Sequence, residues 1–117
     1  MTVSALRTER LITADHVVAA ARGEGLHIVF QPVVDLSRRT VAGYEALARF
    51  DAIDGIVSAP DEWFRVANDL GLSAQLDAAT LAVALARRSD LPRNCFLSVN
   101  IEPCSLPTPP VLSLIHI

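Results

Sequence analysis

Glu45 and Arg49 stand four residues apart in the run Thr40 to Phe50, and no other pair in the chain is better suited to chemistry. A carboxylate is a good ligand for a hard cation, and a guanidinium is a good clamp for a phosphate. Side chains alternate along a strand, so Val41, Gly43, Glu45, Leu47 and Arg49 share one face, while Ala42, Tyr44, Ala46, Ala48 and Phe50 share the other. The second face is apolar throughout and suits packing against helices. Glu45 and Arg49 are then left on the opposite side, where a charge needs a metal, a ligand, a partner or water. Four residues of strand separate their Cα atoms by roughly 13 Å, far for a direct bridge but suitable for holding two ends of one ligand. Together they suit a hard cation and a phosphate group held near one another. The alternative is that the two simply pair with each other or face solvent.

Two further polar residues sit at strand ends. Gln31 closes the largely apolar run His27 to Phe30 just before Pro32, where its amide can read a ligand or satisfy a neighbouring backbone group. Asn100 ends Phe96-Leu97-Ser98-Val99-Asn100 and offers a neutral oxygen at the strand's carboxyl end, the end at which parallel α/β sheets and barrels bind ligands. Its other reading is a turn former ahead of Pro103.

The elements that must position these residues follow from local chemistry. Thr13 caps a helix over Ala14 to Arg22, ended by Gly23 or Gly25. His27 to Val34 and Thr40 to Phe50 are strands, and Asp35-Leu36-Ser37-Arg38-Arg39 supplies the turn between them, which predicts a hairpin. Ser58 caps a helix beginning near Pro60 and closed by Gly71, with Trp63, Phe64, Val66, Ala67 and Leu70 on its apolar side. Ser73 caps another running to about Arg88, buried along Leu76, Thr80, Val83 and Ala84. Cys95 to Ile101 is a third strand. Helix, strand, strand, helix, helix, strand indicates an α/β architecture with a parallel pairing across the helices. The four prolines between Pro103 and Pro110 rule out a regular element there.

Composition narrows the function classes. The 117 residues are 51% hydrophobic and 20% charged, which fits a single globular domain. A net charge of −3 with scattered basic residues provides no stripe to track a phosphate backbone, so polymeric nucleic acid is excluded as a partner. Charges break every apolar run well short of the roughly 20 residues of a membrane-spanning helix. Arg7, Glu9 and Arg10 stand where a signal peptide would have its apolar core, and the chain reads as cytoplasmic. Cys95 and Cys104 lack metal-ligand spacing and read as reduced structural cysteines.

Taken in order, three motifs carry a resemblance to a known family. They are Phe30-Gln31-Pro32-Val33-Val34-Asp35, then Gly43-Tyr44-Glu45-Ala46-Leu47-Ala48-Arg49-Phe50, and finally Ser98-Val99-Asn100-Ile101-Glu102-Pro103. Pro60, Phe64, Ala67, Gly71 and Leu76-Asp77 fall between them at matching intervals. This pattern resembles the first part of an EAL domain, the family of cyclic di-GMP phosphodiesterases. The resemblance implies that Glu45 and Asn100 are ligands of a magnesium or manganese ion. It also implies that Gln31 and Arg49 contact the dinucleotide and that Leu47 lines its pocket. The implied fold is a (β/α)8 TIM-like barrel whose first strand runs antiparallel to its neighbour, in agreement with the hairpin. The implied reaction is attack of a metal-activated water on one phosphodiester bond. A homodimer of the intact domain is compatible with it. Glu102 departs from the serine commoner after the Asn.

Length is the larger departure, because such a barrel needs roughly 250 residues. The family's later acidic ligands, and the lysine and glutamate that assist the water, lie beyond Asn100, and Glu102 is the last acidic residue here. The expectation is therefore a partial barrel truncated after about its third strand, over residues 8–111, with no catalytic residue of its own. Leu112-Ser113-Leu114-Ile115-His116-Ile117 reads as a non-native tail translated from a sequencing adapter, in which His116 has no role. Three functions remain open: the N-terminal portion of a phosphodiesterase that is inactive alone, a non-catalytic EAL module binding cyclic di-GMP or a protein partner, and an unstable open half-barrel.

Overall fold

Thr13 opens the first helix with both halves of a capping box. In the computed structural model, which describes residues 11–115, the His16 N–H donates to Thr13 Oγ1 at 3.3 Å and the Thr13 N–H donates to His16 Nδ1 at 3.0 Å. Histidine here takes the part usually played by Glu or Gln. The helix α1 (Ala14–Ala21) buries Val17 and Ala20 and ends in a turn leading to β1 (Leu26–Asp35). The expected domain start at residue 8 and His116 both lie outside the described residues.

The hairpin forms as expected. Asp35 Oδ1 accepts from the Ser37 hydroxyl at 2.8 Å and from the Ser37 and Arg38 backbone N–H groups at 3.0 and 3.3 Å, which fixes the turn and lowers the carboxyl's pKa. The returning strand, β2 (Thr40–Phe50), pairs antiparallel with β1. The last strand, β3 (Phe96–Val99), pairs parallel on the other side of β2, giving a sheet of order β1-β2-β3. It is shorter than the Cys95 to Ile101 expected, because past Val99 the backbone turns to other partners, described below.

Between β2 and β3 lie α2 (Pro60–Asp69), α3 (Ser73–Ala86) and a single 3-10 turn over Arg88–Asp90. Neither helix takes the serine cap expected for it. Pro60 occupies the first position of α2, so the capping site falls on Ala59, one residue past Ser58, and Asp61 and Glu62 supply negative charge to the first turn instead. Ser73 lies inside α3, with Leu72 at its cap, and the Ser73 hydroxyl donates to Asn68 Oδ1 at 3.3 Å. Gly71, at φ +72°, supplies the left-handed residue that separates the two helices. A short helix not anticipated from the prolines, α4 (Pro109–Ile115), seats buried Val111 and lies against α3. Two of those prolines stand in its first turn, where a missing N–H costs nothing.

The core lies between the helices and one face of the sheet. Ile28, Ala46, Ala48 and Phe50 meet Val17 and Ala20 of α1, Trp63, Val66 and Ala67 of α2, and Leu76, Ala79 and Ala84 of α3. The alternation read from the sequence is therefore realised. On α3 Leu76, Thr80 and Ala84 are buried as expected and Val83 partly so, but Asp77, Ala79 and Leu81 are buried too.

The other sheet face is open and includes Val29, Val33, Val41 and Phe96. A Cβ on Gly43 would come within 2.5 Å of the Phe96 ring, so the ring lies flat on β2 only because this residue has no side chain. Gly43→Ala is expected to cost about 1–3 kcal/mol in urea denaturation, at the low end because half-exposed Phe96 can swing outward.

Candidate functional site on the open sheet face

Three strands converge their polar side chains on this open face. The β1–β2 register sets Gln31 opposite Glu45, Val29 opposite Leu47 and His27 opposite Arg49. Across β2, Ser98 of β3 pairs with Glu45, and Asn100 follows just beyond the strand's end. Directly opposed residues project from the same side of a sheet, so Gln31, Glu45 and Ser98 form one row across it.

Asn100 Nδ2 donates to Glu45 Oε2 at 2.9 Å across 55 positions of sequence. Arg49 Nη1 donates to the Ala48 carbonyl at 2.8 Å. Glu45 and Arg49 thus bond to other groups rather than to each other, and Arg49 folds along its own strand. Nearby, His27 Nδ1 lies 3.7 Å from Asp51. At the carboxyl ends of β2 and β3 a cleft of ≈ 510 Å³ opens, lined by Leu47, Arg49, Pro60, Phe64, Asp77 and Asn100 among others. Leu47, Arg49 and Asn100 therefore share a cavity, with Glu45 bonded to Asn100. Gln31 stands in the adjoining row, exposed and outside the cleft lining.

The residue that sequence reasoning passed over is Asp77. It belonged to the motif spacing but received no role, and it is 1% exposed at the base of this cleft. Its signal was present: an acid one position from Leu76 and three from Thr80, inside an apolar helical stripe. Asp77 Oδ2 accepts the Glu102 N–H at 3.1 Å. Ser105 Oγ, equally buried, makes no hydrogen bond of ordinary geometry among the described residues, yet it lies near enough to favour the charged carboxylate. Desolvation outweighs these contacts and the nearby Glu102 charge adds to it, so the Asp77 pKa is raised above 3.8.

A raised carboxyl pKa means that the folded state binds the proton more tightly than the unfolded chain. The contribution of Asp77 to stability is then greatest below pH 3.8 and declines as pH rises through the folded value. Asp77→Asn is expected to flatten that decline and to leave stability at pH 7 equal or higher. Urea midpoints across a pH series check this, and an unchanged slope would show that another group sets it.

The model of the EAL domain matches residues 14–116. The chain belongs to the EAL domain family. Over 90 residues this EAL chain is 28% identical to an Escherichia coli (strain K12) protein named "Probable cyclic di-GMP phosphodiesterase PdeI", a match covering 72% of the chain and 12% of that relative. Among solved structures it is similar to the Xanthomonas citri FimX EAL domain in complex with c-diGMP, with a TM-score of 0.72, 24% identity, and coverage of 99% of this chain and 45% of that one. It is also similar to the Pseudomonas aeruginosa FimX EAL domain bound to c-di-GMP, with a TM-score of 0.61, 26% identity, and coverage of 83% and 41% respectively. The EAL chain thus spans less than half of either structure. Its three-stranded α/β layer corresponds to part of the EAL barrel, with the antiparallel first strand expected. Among the described residues no helix is long and apolar enough to cross a membrane.

Proposed function

We propose that this EAL chain forms the metal- and dinucleotide-facing first part of a cyclic di-GMP phosphodiesterase. In this reading Glu45 and Asn100 hold a divalent magnesium or manganese ion, and Gln31, Leu47 and Arg49 contact the dinucleotide. The observation that carries it is the 2.9 Å contact between Glu45 of β2 and Asn100 just past β3, where the cleft opens.

The donor set fits such an ion in kind and only partly in number. Glu45 brings a carboxylate and Asn100 an amide, and turning that amide over would place its oxygen beside the carboxylate as a second hard donor. Magnesium is commonly held by one or two carboxylates with the remaining positions filled by water and substrate phosphate. When bound, the ion would supply a water of lowered pKa and neutralise phosphate charge. Arg49 is placed to orient a phosphate from one side once it swings away from the Ala48 carbonyl, Leu47 presents an apolar wall to a base, and Gln31 offers an amide to a polar edge. Among the described residues no three His, Cys, Asp or Glu side chains gather as a metal cluster. The 117-residue chain by itself is proposed to be inactive.

A second reading, a non-catalytic EAL module, draws support from the FimX domain that is 26% identical and holds c-di-GMP. One experiment separates them. The chain alone, and the chain extended to the full length of its structural relatives, are incubated with cyclic di-GMP and magnesium or manganese. Linear dinucleotide from the extended protein only, lost on chelation, is the expected result. Turnover by the 117-residue chain would overturn the proposal, and binding without turnover by the extended protein would establish the second reading.

A further inference from the structure

The backbone just past β3 has little to hold it except one buried side chain. Sheet pairing stops at Val99, opposite Ala46, and Asn100 and Ile101 belong to no strand. The next fixed backbone group is the Glu102 N–H, held at 3.1 Å by Asp77 Oδ2. From there a turn closes on itself, with the Ser105 N–H donating to the Glu102 carbonyl at 2.9 Å and the Leu106 N–H to Pro103 at 3.3 Å. Asn100 is thus suspended between two anchors, the β2 pairing at Val99 and the α3 carboxylate at Glu102. Three residues of backbone reach at most about 10 Å, so fixing both ends leaves the intervening Asn few orientations.

The choice of residue is informative. Asp77 is almost fully buried within the apolar stripe of α3, where an aliphatic side chain would avoid the cost of desolvating a charge. A buried carboxylate bonded to a backbone N–H is a strong, directional tether.

We propose that Asp77 is a positioning residue for Asn100: by gripping the Glu102 N–H from α3, it fixes the backbone past β3 and holds the Asn100 amide against Glu45. Its value to metal binding rests on the reading given under Proposed function, but the tether itself does not, because the Asn100–Glu45 bond can be observed without metal or nucleotide.

The test is made on the 117-residue chain by NMR, through the two Nδ2 protons of Asn100. The planar amide already keeps their resonances apart, and bonding of one of them to Glu45 shifts that proton from its free position, for which Glu45→Ala provides the unbonded reference. Asp77→Leu is expected to move the Asn100 pair to that reference position while the backbone amides of α1 and α2 keep their folded shifts. Asp77→Asn, whose amide oxygen still accepts the Glu102 N–H, is expected to keep the pair near its original position. Ser105→Ala perturbs the same buried turn without removing the acceptor and should also leave it in place. If Asp77→Leu does not fold, an amide-to-ester replacement of the Glu102 N–H, introduced by ligating a synthetic segment at Cys95, deletes the same bond with every side chain intact and should move the pair to the same unbonded reference position. An Asn100 pair unchanged in Asp77→Leu or in the ester chain would overturn the proposal, as would its equal loss in Ser105→Ala.

Discussion

Glu45→Ala, made in this chain extended to a complete EAL barrel, is expected to lower cyclic di-GMP turnover by about 100-fold or more. The scale follows from metal sites in general, where removing even the groups that orient the ligands costs about 10–100-fold. Removing a ligand carboxylate should cost at least as much, since Glu45 is the only charged member of the proposed pair in this chain and Asn100 is neutral. The same change strips Asn100 of its 2.9 Å partner, so both proposed donors are disturbed at once. Glu45→Gln is the sharper comparison, because it keeps the size and one oxygen while removing the charge. It should leave the fold intact, measured by circular dichroism, and raise the magnesium concentration needed for half-maximal rate. Arg49→Lys acts on a different term. It keeps a positive charge but loses the two-pronged donor geometry, and so should weaken dinucleotide binding while leaving the metal requirement unchanged. A Glu45→Ala enzyme with the parent rate would remove Glu45 from the metal site and with it the carrying observation of the proposed function.

How far the sequence revealed this site depended on how local each determinant was. The alternation of β2 sufficed to place Ala46, Ala48 and Phe50 in the core and Glu45, Leu47 and Arg49 opposite, because a period of two is set by the strand itself. The hairpin turn was legible for the same reason, since Asp35 bonds to residues two and three positions away. What could not be read was the partner of each polar group. Nothing local to Glu45 says that Asn100, 55 positions later, lies beside it, and from spacing alone both Asn100 and Gln31 kept an ordinary structural reading. The family motifs linked them, and the β1–β2–β3 register shows the geometry by which they meet. The caps failed for a subtler reason. Serine was expected to cap α2 and α3, but Pro60 and the turn at Gly71 fix where those helices begin, shifting each cap by one residue. The short α4 was missed because prolines were read as breakers without noting that a first turn accepts them. Asp77 escaped because its partner is a backbone N–H, and no sequence pattern marks which backbone group a buried carboxylate will find.

The largest effect on stability is expected from the residue next to Arg49. Phe50 ends β2 with its ring on the helix side, stacked on Trp63 at 4.5 Å between centroids and 9° between planes, and meeting Phe64 edge-on at 5.9 Å and 73°. It therefore joins the last residue of the strand to α2, the helix whose Pro60 and Phe64 line the cleft. Truncating a buried phenylalanine typically costs about 3–5 kcal/mol, from lost burial and from the cavity left behind. Natural domains are stable by only about 5–15 kcal/mol. Among the described residues β1 and β3 are the edge strands of the sheet, and Phe50→Ala is expected to leave a large fraction unfolded at 25 °C. Phe50→Leu separates the contributions. It fills most of the volume and loses mainly the aromatic contacts, worth about 0.5–1.5 kcal/mol beyond their area, so its urea midpoint should fall far less. Both variants should share the parent's dependence on urea concentration, because the surface exposed on unfolding hardly changes. A Phe50→Ala chain within about 1 kcal/mol of the parent would mean that this end of β2 is not packed on α2, below the range for truncating a buried aromatic. Because Phe50 and Arg49 project from opposite sides of one strand, Phe50→Leu should also leave cyclic di-GMP affinity in the extended protein close to that of the parent. The strand's inward face fixes where the Arg49 backbone lies, and its outward face carries the residues proposed to contact the dinucleotide.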